Sequence, residues 1–97
     1  MDKAWYVYIL ECRDGTLYTG ITDHLAKRIA AHRAGKGAKY TRGRGPLVLR
    51  YVETCGNKSE ALQREYAIKQ LSREKKQLLC HEAPLDENEC LAPSQNE

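Results

Sequence analysis

The stretch YVYILECRDGTLYTGIT, residues 6–22, decides the fold because it predicts a β-hairpin close to the start of the chain. Its two runs of β-forming residues, YVYIL and LYTGI, flank an Arg-Asp-Gly sequence, in which Asp-Gly is a strong turn signal. The stretch also contains three of the six tyrosines in the 97-residue chain. We therefore predict strands over residues 5–12 and 16–22, in a hairpin that is unusually rich in phenol groups.

The length of the turn determines which tyrosines share a face of the sheet, and the residues permit two lengths. A two-residue Asp-Gly turn places Tyr8 and Tyr18 on opposite faces, because side chains alternate along a strand. A three-residue turn, with Gly15 in the left-handed conformation, places Tyr8, Tyr18 and Gly20 on the same face. A glycine at position 20 leaves room for the close approach of a substrate or a neighbouring backbone.

The rest of the chain predicts one more strand and three helices. We expect a helix over residues 24–34, a strand over 47–53, a helix from about 57 to 71 and a short helix after Ser72. The order is therefore β-β-α-β-α-α. This order predicts an α+β fold in which a three-stranded antiparallel sheet carries flanking helices.

Charge is distributed unevenly along the chain. Residues 24–52 contain eight Lys/Arg and no acidic residue, whereas residues 82–97 contain five acidic residues and no Lys/Arg. Without that acidic segment, 16 basic residues stand against 8 acidic ones, a net charge of +8. Such a surface suits a polyanionic partner, and DNA is the predicted one. We predict a folded domain over residues 1–81 and a disordered acidic tail over 82–97.

The composition predicts a cytoplasmic protein that does not enter a membrane. There is no run of about 18 or more apolar residues, and the first ten residues lack the length and the cleavage site of a signal peptide. The four cysteines form no Cys-x-x-Cys pair, which predicts free thiols. A zinc site of Cys80, His81 and Cys90 is the weaker alternative, because structural zinc ligands usually come in closely spaced pairs.

The helix predicted from residue 57 to 71 places a carboxylate on its inward face. Its apolar stripe consists of Ala61, Leu62 and Ile68, and Glu65 lies three or four positions from each of them. Residues with that spacing share one face of a helix, so Glu65 is predicted to point inward.

Polar groups from four predicted elements are candidates for one site. Tyr8 and Tyr18 lie on the two hairpin strands, Arg28 and His32 lie one turn apart on the first helix, and Glu65 lies on the next. Each residue alone has an ordinary structural explanation, such as a packed tyrosine or an ion pair between Arg28 and Glu65. Together, beside a basic surface, they favour a functional site.

These groups suit the hydrolysis of phosphodiester bonds. A hard divalent cation binds one carboxylate together with several waters, lowers the pKa of a bound water and offsets phosphate charge. Arginine supplies a planar, permanently charged fork for charge that develops on the phosphate. A tyrosine hydroxyl near cations can relay or accept a proton from the attacking water. The chain has neither a P-loop nor a His-Glu-x-x-His motif, so those chemistries have no support.

The segment GKGAKYTRGRGP, residues 35–46, is too polar and too rich in glycine for a packed element. Its basic side chains are predicted to contact phosphate groups, and its tyrosine is predicted to stack on an unpaired base. These candidate nucleic-acid-binding residues are Lys36, Lys39, Tyr40, Arg42 and Arg44.

The motifs resemble those of the GIY-YIG nuclease superfamily. Tyr-Val-Tyr at 6–8 and Tyr-Thr-Gly at 18–20 are similar to the paired motifs of that superfamily. Arg28 follows Gly20 by eight residues, as in the superfamily's helix, and His32 one turn later also fits. The segment EALQRE, residues 60–65, resembles the helix that ends in the metal-binding glutamate. The similarity extends over about residues 4–80 and is strongest to the small, stand-alone bacterial YhbQ-like group.

The resemblance implies a DNA endonuclease with one divalent ion, Mg²⁺ or Mn²⁺, and a role in DNA repair or recombination. Tyr8 and Tyr18 would flank the scissile phosphate, with Tyr18 as the general base and Tyr8 hydrogen-bonding in support. Arg28, with His32 nearby, would stabilise the transition state, and Glu65 would hold the metal. The resemblance favours the three-residue turn, because only that turn places both tyrosines on one face. It implies branched or damaged DNA as substrates, and no small-molecule cofactor.

One departure from the superfamily supports alternative functions. The superfamily often has an active-site asparagine after the glutamate helix, whereas no asparagine occurs between Asn57 and Asn88. Lys69 or the Lys75-Lys76 pair are candidates for the missing phosphate contact. The alternative function is a nucleic-acid-binding module with weak or no catalysis, and a third hypothesis is a protein that docks a partner protein through its tail.

Overall fold

The structure is a computed structural model that describes residues 4–37, 39–83 and 85, with only the backbone described for Tyr40. Within these residues it forms three strands, three α-helices and one 3₁₀ turn. In chain order they are β1 (Trp5–Glu11), β2 (Leu17–Thr22), α1 (Leu25–Arg33), the 3₁₀ turn Lys39–Thr41, β3 (Val48–Cys55), α2 (Lys58–Lys69) and α3 (Arg73–Glu82). The predicted order and the α+β fold class are confirmed, and β3 runs two residues beyond its predicted end.

The N-terminal hairpin has the three-residue turn. The N–H of Cys12 donates to the Thr16 carbonyl at 2.8 Å, and the N–H of Gly15 donates back to the Cys12 carbonyl at 2.9 Å. Gly15 has a φ of 86°, in the left-handed region that glycine adopts without a steric penalty. The turn therefore sets the register in which Tyr8 pairs with Gly20.

The sheet has the order β2-β1-β3, and β1 pairs antiparallel with both neighbours. Its central strand has four consecutive buried residues, Val7, Tyr8, Ile9 and Leu10, because helices cover both faces. Two buried clusters result. The α1-side core contains Tyr8, Leu10, Cys12, Leu25, Ile29, Leu47 and Leu49. The α2-side core contains Val7, Ile9, Tyr51, Cys55, Ala61, Ile68 and Cys80.

Helix α2 begins with a side-chain cap. Asn57 Oδ1 accepts the N–H of Glu60 at 2.8 Å, and the Glu60 carboxylate accepts the N–H of Gly56 at 3.2 Å. These contacts satisfy donors that have no partner within the first turn of a helix. Since the cap fixes where α2 begins, it also fixes which of its residues face the sheet.

The inward face of α2 differs in one residue from the predicted stripe. Ala61 and Ile68 are buried, but Leu62 is 45% exposed, so its predicted inward position is wrong. The buried pair lies seven residues apart, and Leu62 lies about 100° around the helix from Ala61. Glu65 lies between Ala61 and Ile68 on the inward side, and its side chain is 19% exposed.

Two predictions about the C-terminal part of the chain, the disordered acidic tail and the alternative zinc site, stay predictions. Helix α3 ends at Glu82, and Leu85 is partly buried against the α1-side core. Most of the predicted tail, residues 86–97, lies outside the described residues, as does Cys90 of the alternative zinc site. The three cysteines that the structure describes fully, Cys12, Cys55 and Cys80, are buried free thiols. No helix in the described part of the chain is long and apolar enough to span a bilayer.

Candidate active site

The hairpin register brings two tyrosines to one face. Tyr8 pairs with Gly20, and Leu10 pairs with Tyr18 on the same side of the sheet. The rings of Tyr8 and Tyr18 lie 6.4 Å apart between centroids at an interplanar angle of 46°. Tyr8 is completely buried, whereas Tyr18 is partly exposed. Tyr18 is therefore the tyrosine that a bound molecule can reach from solvent.

Gly20 is required by the position of the Tyr8 ring. A Cβ atom at residue 20 would lie 2.6 Å from the Tyr8 hydroxyl oxygen and 3.1 Å from a ring carbon of Tyr18. These distances are shorter than van der Waals contact, so a side chain at this position would displace Tyr8. The close approach at Gly20 is made by the phenol of its cross-strand neighbour.

His32 on α1 joins the two tyrosines to the basic loop. Its Nε2 lies 2.7 Å from the Tyr8 hydroxyl, and its Nδ1 lies 2.8 Å from the Thr41 hydroxyl. Its ring also packs edge-on against both tyrosines, at centroid distances of 5.6 Å to Tyr8 and 5.4 Å to Tyr18. His32 is buried, so it acts on the site through its neighbours.

Burial keeps His32 neutral. Desolvation, with a further contribution from the charge of Arg28, lowers the pKa of His32 to about 4. Since the unshifted value is 6.5, the imidazole carries one proton rather than two at neutral pH. One ring nitrogen is therefore a donor and the other an acceptor.

Arg28 lies one helical turn before His32, and its guanidinium is close enough to the Tyr8 hydroxyl to lower the pKa of that group. Burial raises the pKa of Tyr8 to about 12, the hydrogen bond and charge of Arg28 oppose the rise, and Tyr18 and Glu65 add to it. Tyr8 therefore stays protonated at neutral pH. The contribution of Glu65 places its carboxylate within electrostatic range of the Tyr8 hydroxyl.

Arg28 is accessible from solvent on one side. It lines an open pocket of about 360 Å³ together with Thr22, Asp23, His24, Lys27 and Ala31. Arg28 is thus the candidate site residue that borders this surface depression, since Tyr8, Tyr18, His32 and Glu65 do not line it.

The Glu65 carboxylate is the candidate metal ligand. Its Oε2 lies 3.3 Å from Nζ of Lys69, one turn later on α2. Among the described residues there is no group of three or more His, Cys, Asp or Glu side chains that could hold a metal ion. A single, partly buried carboxylate completed by waters fits Mg²⁺ or Mn²⁺, which prefer oxygen ligands and retain several waters. The donor chemistry does not suit zinc, which needs nitrogen or sulfur ligands in its structural sites.

The candidate nucleic-acid-binding residues occupy an exposed surface between α1 and β3, which we call the basic loop (residues 35–46). Lys36, Lys39 and Arg42 are exposed, and the side chain of Tyr40 lies outside the described atoms. Arg44 is engaged elsewhere, because its guanidinium lies 2.9 Å from the Asp14 carboxylate. The backbone of Arg44 also accepts the N–H of Arg13 at 2.8 Å. Arg44 therefore joins the basic loop to the hairpin turn.

Sequence reasoning missed Thr41. Its side chain is buried and bonded to His32, although it lies in a polar, glycine-rich loop. Nothing in the local pattern distinguishes it from a surface threonine. Only the tertiary contact with His32, nine residues earlier, reveals its place in the site.

The fold and this group of residues are those of a known protein family. A family model described as the GIY-YIG catalytic domain matches residues 4–77. The chain belongs to the GIY-YIG family. That family is one of nucleases, so nucleic acid is the substrate class.

The similar proteins within the family are UPF0213 proteins. A UPF0213 protein of Desulfotalea psychrophila is 60% identical over 77 residues, which are 78% of this chain and 70% of that protein. A UPF0213 protein of Oceanobacillus iheyensis is 62% identical over 73 residues, which are 75% and 85% of the two chains. The solution NMR structure of a UPF0213 protein from Bacillus halodurans matches with a TM-score of 0.56 and 46% identity, covering 94% of this chain and 99% of that one. The predicted resemblance is confirmed.

Proposed function

We propose that the protein is a divalent-metal-dependent endonuclease that hydrolyses DNA phosphodiester bonds in the cytoplasm, in DNA repair or recombination. One observation carries the proposal. The Tyr8 hydroxyl is hydrogen-bonded to His32, packs beside Tyr18, and is within electrostatic range of Arg28 and Glu65. Four separate elements thus converge on one hydroxyl group.

The roles follow from exposure and charge. Tyr18, which is partly exposed, relays a proton: its hydroxyl oxygen takes the proton of the attacking water while its own proton passes to solvent. Tyr8 is buried and protonated, so it supports the site by hydrogen bonding rather than by proton abstraction. Arg28 stabilises the negative charge that builds up on the phosphate, since its guanidinium is permanently charged and already oriented by Tyr8.

Glu65 would hold Mg²⁺ or Mn²⁺. The bound ion would lower the pKa of a coordinated water and offset charge on the phosphate. For this role the carboxylate must exchange its Lys69 partner for the ion. The Lys69 side chain can move away because it is half-exposed and flexible. Lys36, Lys39 and Arg42 would contact phosphates on either side, and branched or damaged DNA is the proposed substrate.

A cleavage assay tests the proposal. Purified protein is incubated with supercoiled plasmid, a branched junction and single strands, each with Mg²⁺, Mn²⁺ or EDTA. Glu65→Ala, Tyr18→Phe and Arg28→Lys are each expected to reduce cleavage by about 100-fold or more. Their matched controls, at the exposed residues Glu74→Ala, Tyr66→Phe and Arg73→Lys, are expected to keep wild-type cleavage. Cleavage that survives in Glu65→Ala would identify a contaminant and refute the proposal.

A second candidate function is nucleic-acid binding with weak or no catalysis. The observation that favours it is the Glu65–Lys69 ion pair, which occupies the proposed metal ligand, in a chain without asparagine between Asn57 and Asn88. This function predicts salt-dependent binding with no cleavage under either metal. Cleavage that depends on Glu65 would exclude it.

A further inference from the structure

A buried chain of hydrogen bonds leads from the basic loop to the Tyr8 hydroxyl, which is near the active-site arginine. Thr41 Oγ1, in the loop, lies 2.8 Å from His32 Nδ1, and His32 Nε2 lies 2.7 Å from the Tyr8 hydroxyl, within electrostatic range of Arg28. Thr41 is 2% exposed, His32 1% and Tyr8 0%. Solvent therefore does not compete for these contacts, and each must be satisfied within the protein.

The basic loop also packs directly against the imidazole. A Cβ atom at Gly37 would overlap the His32 ring, with Cγ only 2.7 Å away. The Gly35 N–H donates to the His32 carbonyl at 3.0 Å, so the chain turns back over the ring as soon as α1 ends. The loop thus holds His32 from two sides, through the backbone at Gly37 and through the hydroxyl of Thr41.

The hydrogen bonds in this buried chain have a defined donor-to-acceptor direction. The positive charge of Arg28 acts on the Tyr8 hydroxyl, so the lone pairs of the phenol oxygen face the guanidinium and its proton points away from it. His32 Nε2, which lies 2.7 Å away, is the atom that accepts this hydrogen bond. Since His32 is neutral, its Nε2 can accept only when the ring proton is on Nδ1. The Nδ1–H then donates to Thr41 Oγ1.

We propose that Thr41 is a positioning residue that stabilises the Nδ1–H tautomer of His32 by accepting a hydrogen bond from it, and that it thereby supports the direction of the Tyr8 hydroxyl and the place of Arg28. The catalytic consequence rests on the proposed function. The structural consequence, the tautomer and the order of Arg28, does not.

This chain of hydrogen bonds joins the basic loop, where substrate would bind, to the surroundings of Arg28. Lys36, Lys39 and Arg42 lie in the same loop as Thr41, and all three are exposed. A phosphate bound by these side chains holds the loop in place, and the loop in turn holds His32. The position of Arg28 therefore depends on a loop that the nucleic acid itself contacts.

Three variants test the proposal. Thr41→Val has nearly the same shape but no hydroxyl, Thr41→Ser retains the hydroxyl, and Thr54→Val makes the same chemical change at an exposed position on β3. The ¹⁵N chemical shifts of the His32 ring identify the protonated nitrogen, and the ¹⁵N line widths of the Arg28 guanidinium report its order. Thermal unfolding of each variant shows that it is folded under the NMR conditions.

We expect the Nδ1–H tautomer in the wild type, in Thr41→Ser and in Thr54→Val. In Thr41→Val we expect a shift toward Nε2–H and a more mobile Arg28 guanidinium. If Thr41→Val does not fold, Gly37→Ala serves the same purpose, because its methyl group displaces the ring from Thr41. A wild-type Nε2–H tautomer, or a Thr41→Val protein with an unchanged tautomer and unchanged Arg28 order, would overturn the proposal.

The kinetic measurement separates this inference from the proposed function. With a cleavable DNA substrate, Thr41→Val is expected to lower kcat about tenfold and to leave KM within about twofold, since misplacement of a catalytic group acts mainly on the transition state. Thr41→Ser is expected to restore most of kcat. If the wild type cleaves nothing, the proposed function fails, while the tautomer and the Arg28 line widths still decide the inference. A Thr41→Val loss confined to KM would contradict it.

Discussion

The Tyr8 hydroxyl lies 2.7 Å from Nε2 of His32, and both side chains belong to the buried interior rather than to the surface. This contact joins the central strand of the sheet to α1 at the point where Arg28 is also held. The same atoms therefore contribute to packing and to the proposed chemistry. Stability measurements must accompany activity measurements for every variant of this group.

Gly20→Ala is expected to destabilise the protein by about 1–3 kcal/mol, because the new methyl group overlaps the Tyr8 hydroxyl and must displace the ring. Urea unfolding of the purified variant measures the loss. The matched control is Gly56→Ala, where the nearest atom is the flexible end of Glu60 at 3.4 Å and a change within about 0.5 kcal/mol is expected. Equal losses of stability at the two positions would show that the packing of Tyr8 does not require a glycine at position 20.

The stability contributed by His32 is expected to depend on pH. Burial lowers its pKa to about 4 from 6.5, so the unfolded chain binds a proton more readily than the folded one. A group of this kind contributes stability that is fully present above pH 6.5 and is lost as the pH falls toward 4. The loss is on the order of 3 kcal/mol.

Urea unfolding from pH 4 to pH 7 measures this loss as the difference in the free energy of unfolding between the wild type and His32→Gln. Taking this difference cancels the pH dependence that the carboxylates contribute to both proteins. The wild type is expected to lose stability relative to the variant on acidification. His24→Gln, at an exposed histidine, is expected to follow the wild type. A difference that does not change between pH 7 and 4 would mean that His32 titrates normally.

Each exposed cation of the basic loop is expected to contribute to DNA binding through phosphate contacts. Lys36→Ala, Lys39→Ala and Arg42→Ala should each weaken binding to all sequences alike and reduce the slope of log K against log salt by about 1. Fluorescence anisotropy over a salt series measures the slope. Lys58→Ala, whose ammonium lies 5.5 Å from the Trp5 ring at the start of α2, is the control and should keep the wild-type slope. If the basic-loop variants also keep the wild-type slope, the DNA binds to another part of the protein.

Lys69→Met is expected to increase affinity for Mn²⁺, because it removes the cation that lies 3.3 Å from the Glu65 carboxylate. Paramagnetic broadening of amide signals around Glu65 during a Mn²⁺ titration measures the affinity without reference to cleavage. Lys75→Met, at an exposed position in α3, is the control for the lost charge. Equal Mn²⁺ affinity in the two variants would show that Lys69 does not compete with the ion.

Removal of residues 86–97 is expected to tighten DNA binding at low salt, because it deletes four acidic residues and no Lys/Arg, raising the net charge from +3 to +7. The truncation should follow Leu85 rather than residue 81, since α3 continues to Glu82 and Leu85 packs on the core. The gain should vanish at high salt. An unchanged or reduced affinity at low salt would show that the acidic segment does not compete with DNA.

Much of the candidate site was accessible to sequence reasoning because its residues lie at regular spacings on regular elements. The period of two on the hairpin placed Tyr8 and Tyr18 together once the turn length was chosen, and the period of the helix placed Arg28 and His32 on one face. Leu62 was misjudged for the same reason. Its spacing along the chain placed it on the predicted stripe, but Leu62 lies about 100° around the helix from the buried Ala61 and is 45% exposed.

The sequence by itself determined the order of the elements, the turn signal at Asp14-Gly15, the basic loop and the residue types available for chemistry, because these depend on local conformational preference and charge. The structure selected the three-residue turn from the two lengths that the residues permit. Only the tertiary structure decided which polar groups became partners. It buried Tyr8 and His32, joined Thr41 to the imidazole and paired Arg44 with Asp14. Such contacts form between residues distant in the chain, and no local pattern encodes them, since a hydrogen bond depends on distances of a few tenths of an ångström that only the packed core sets.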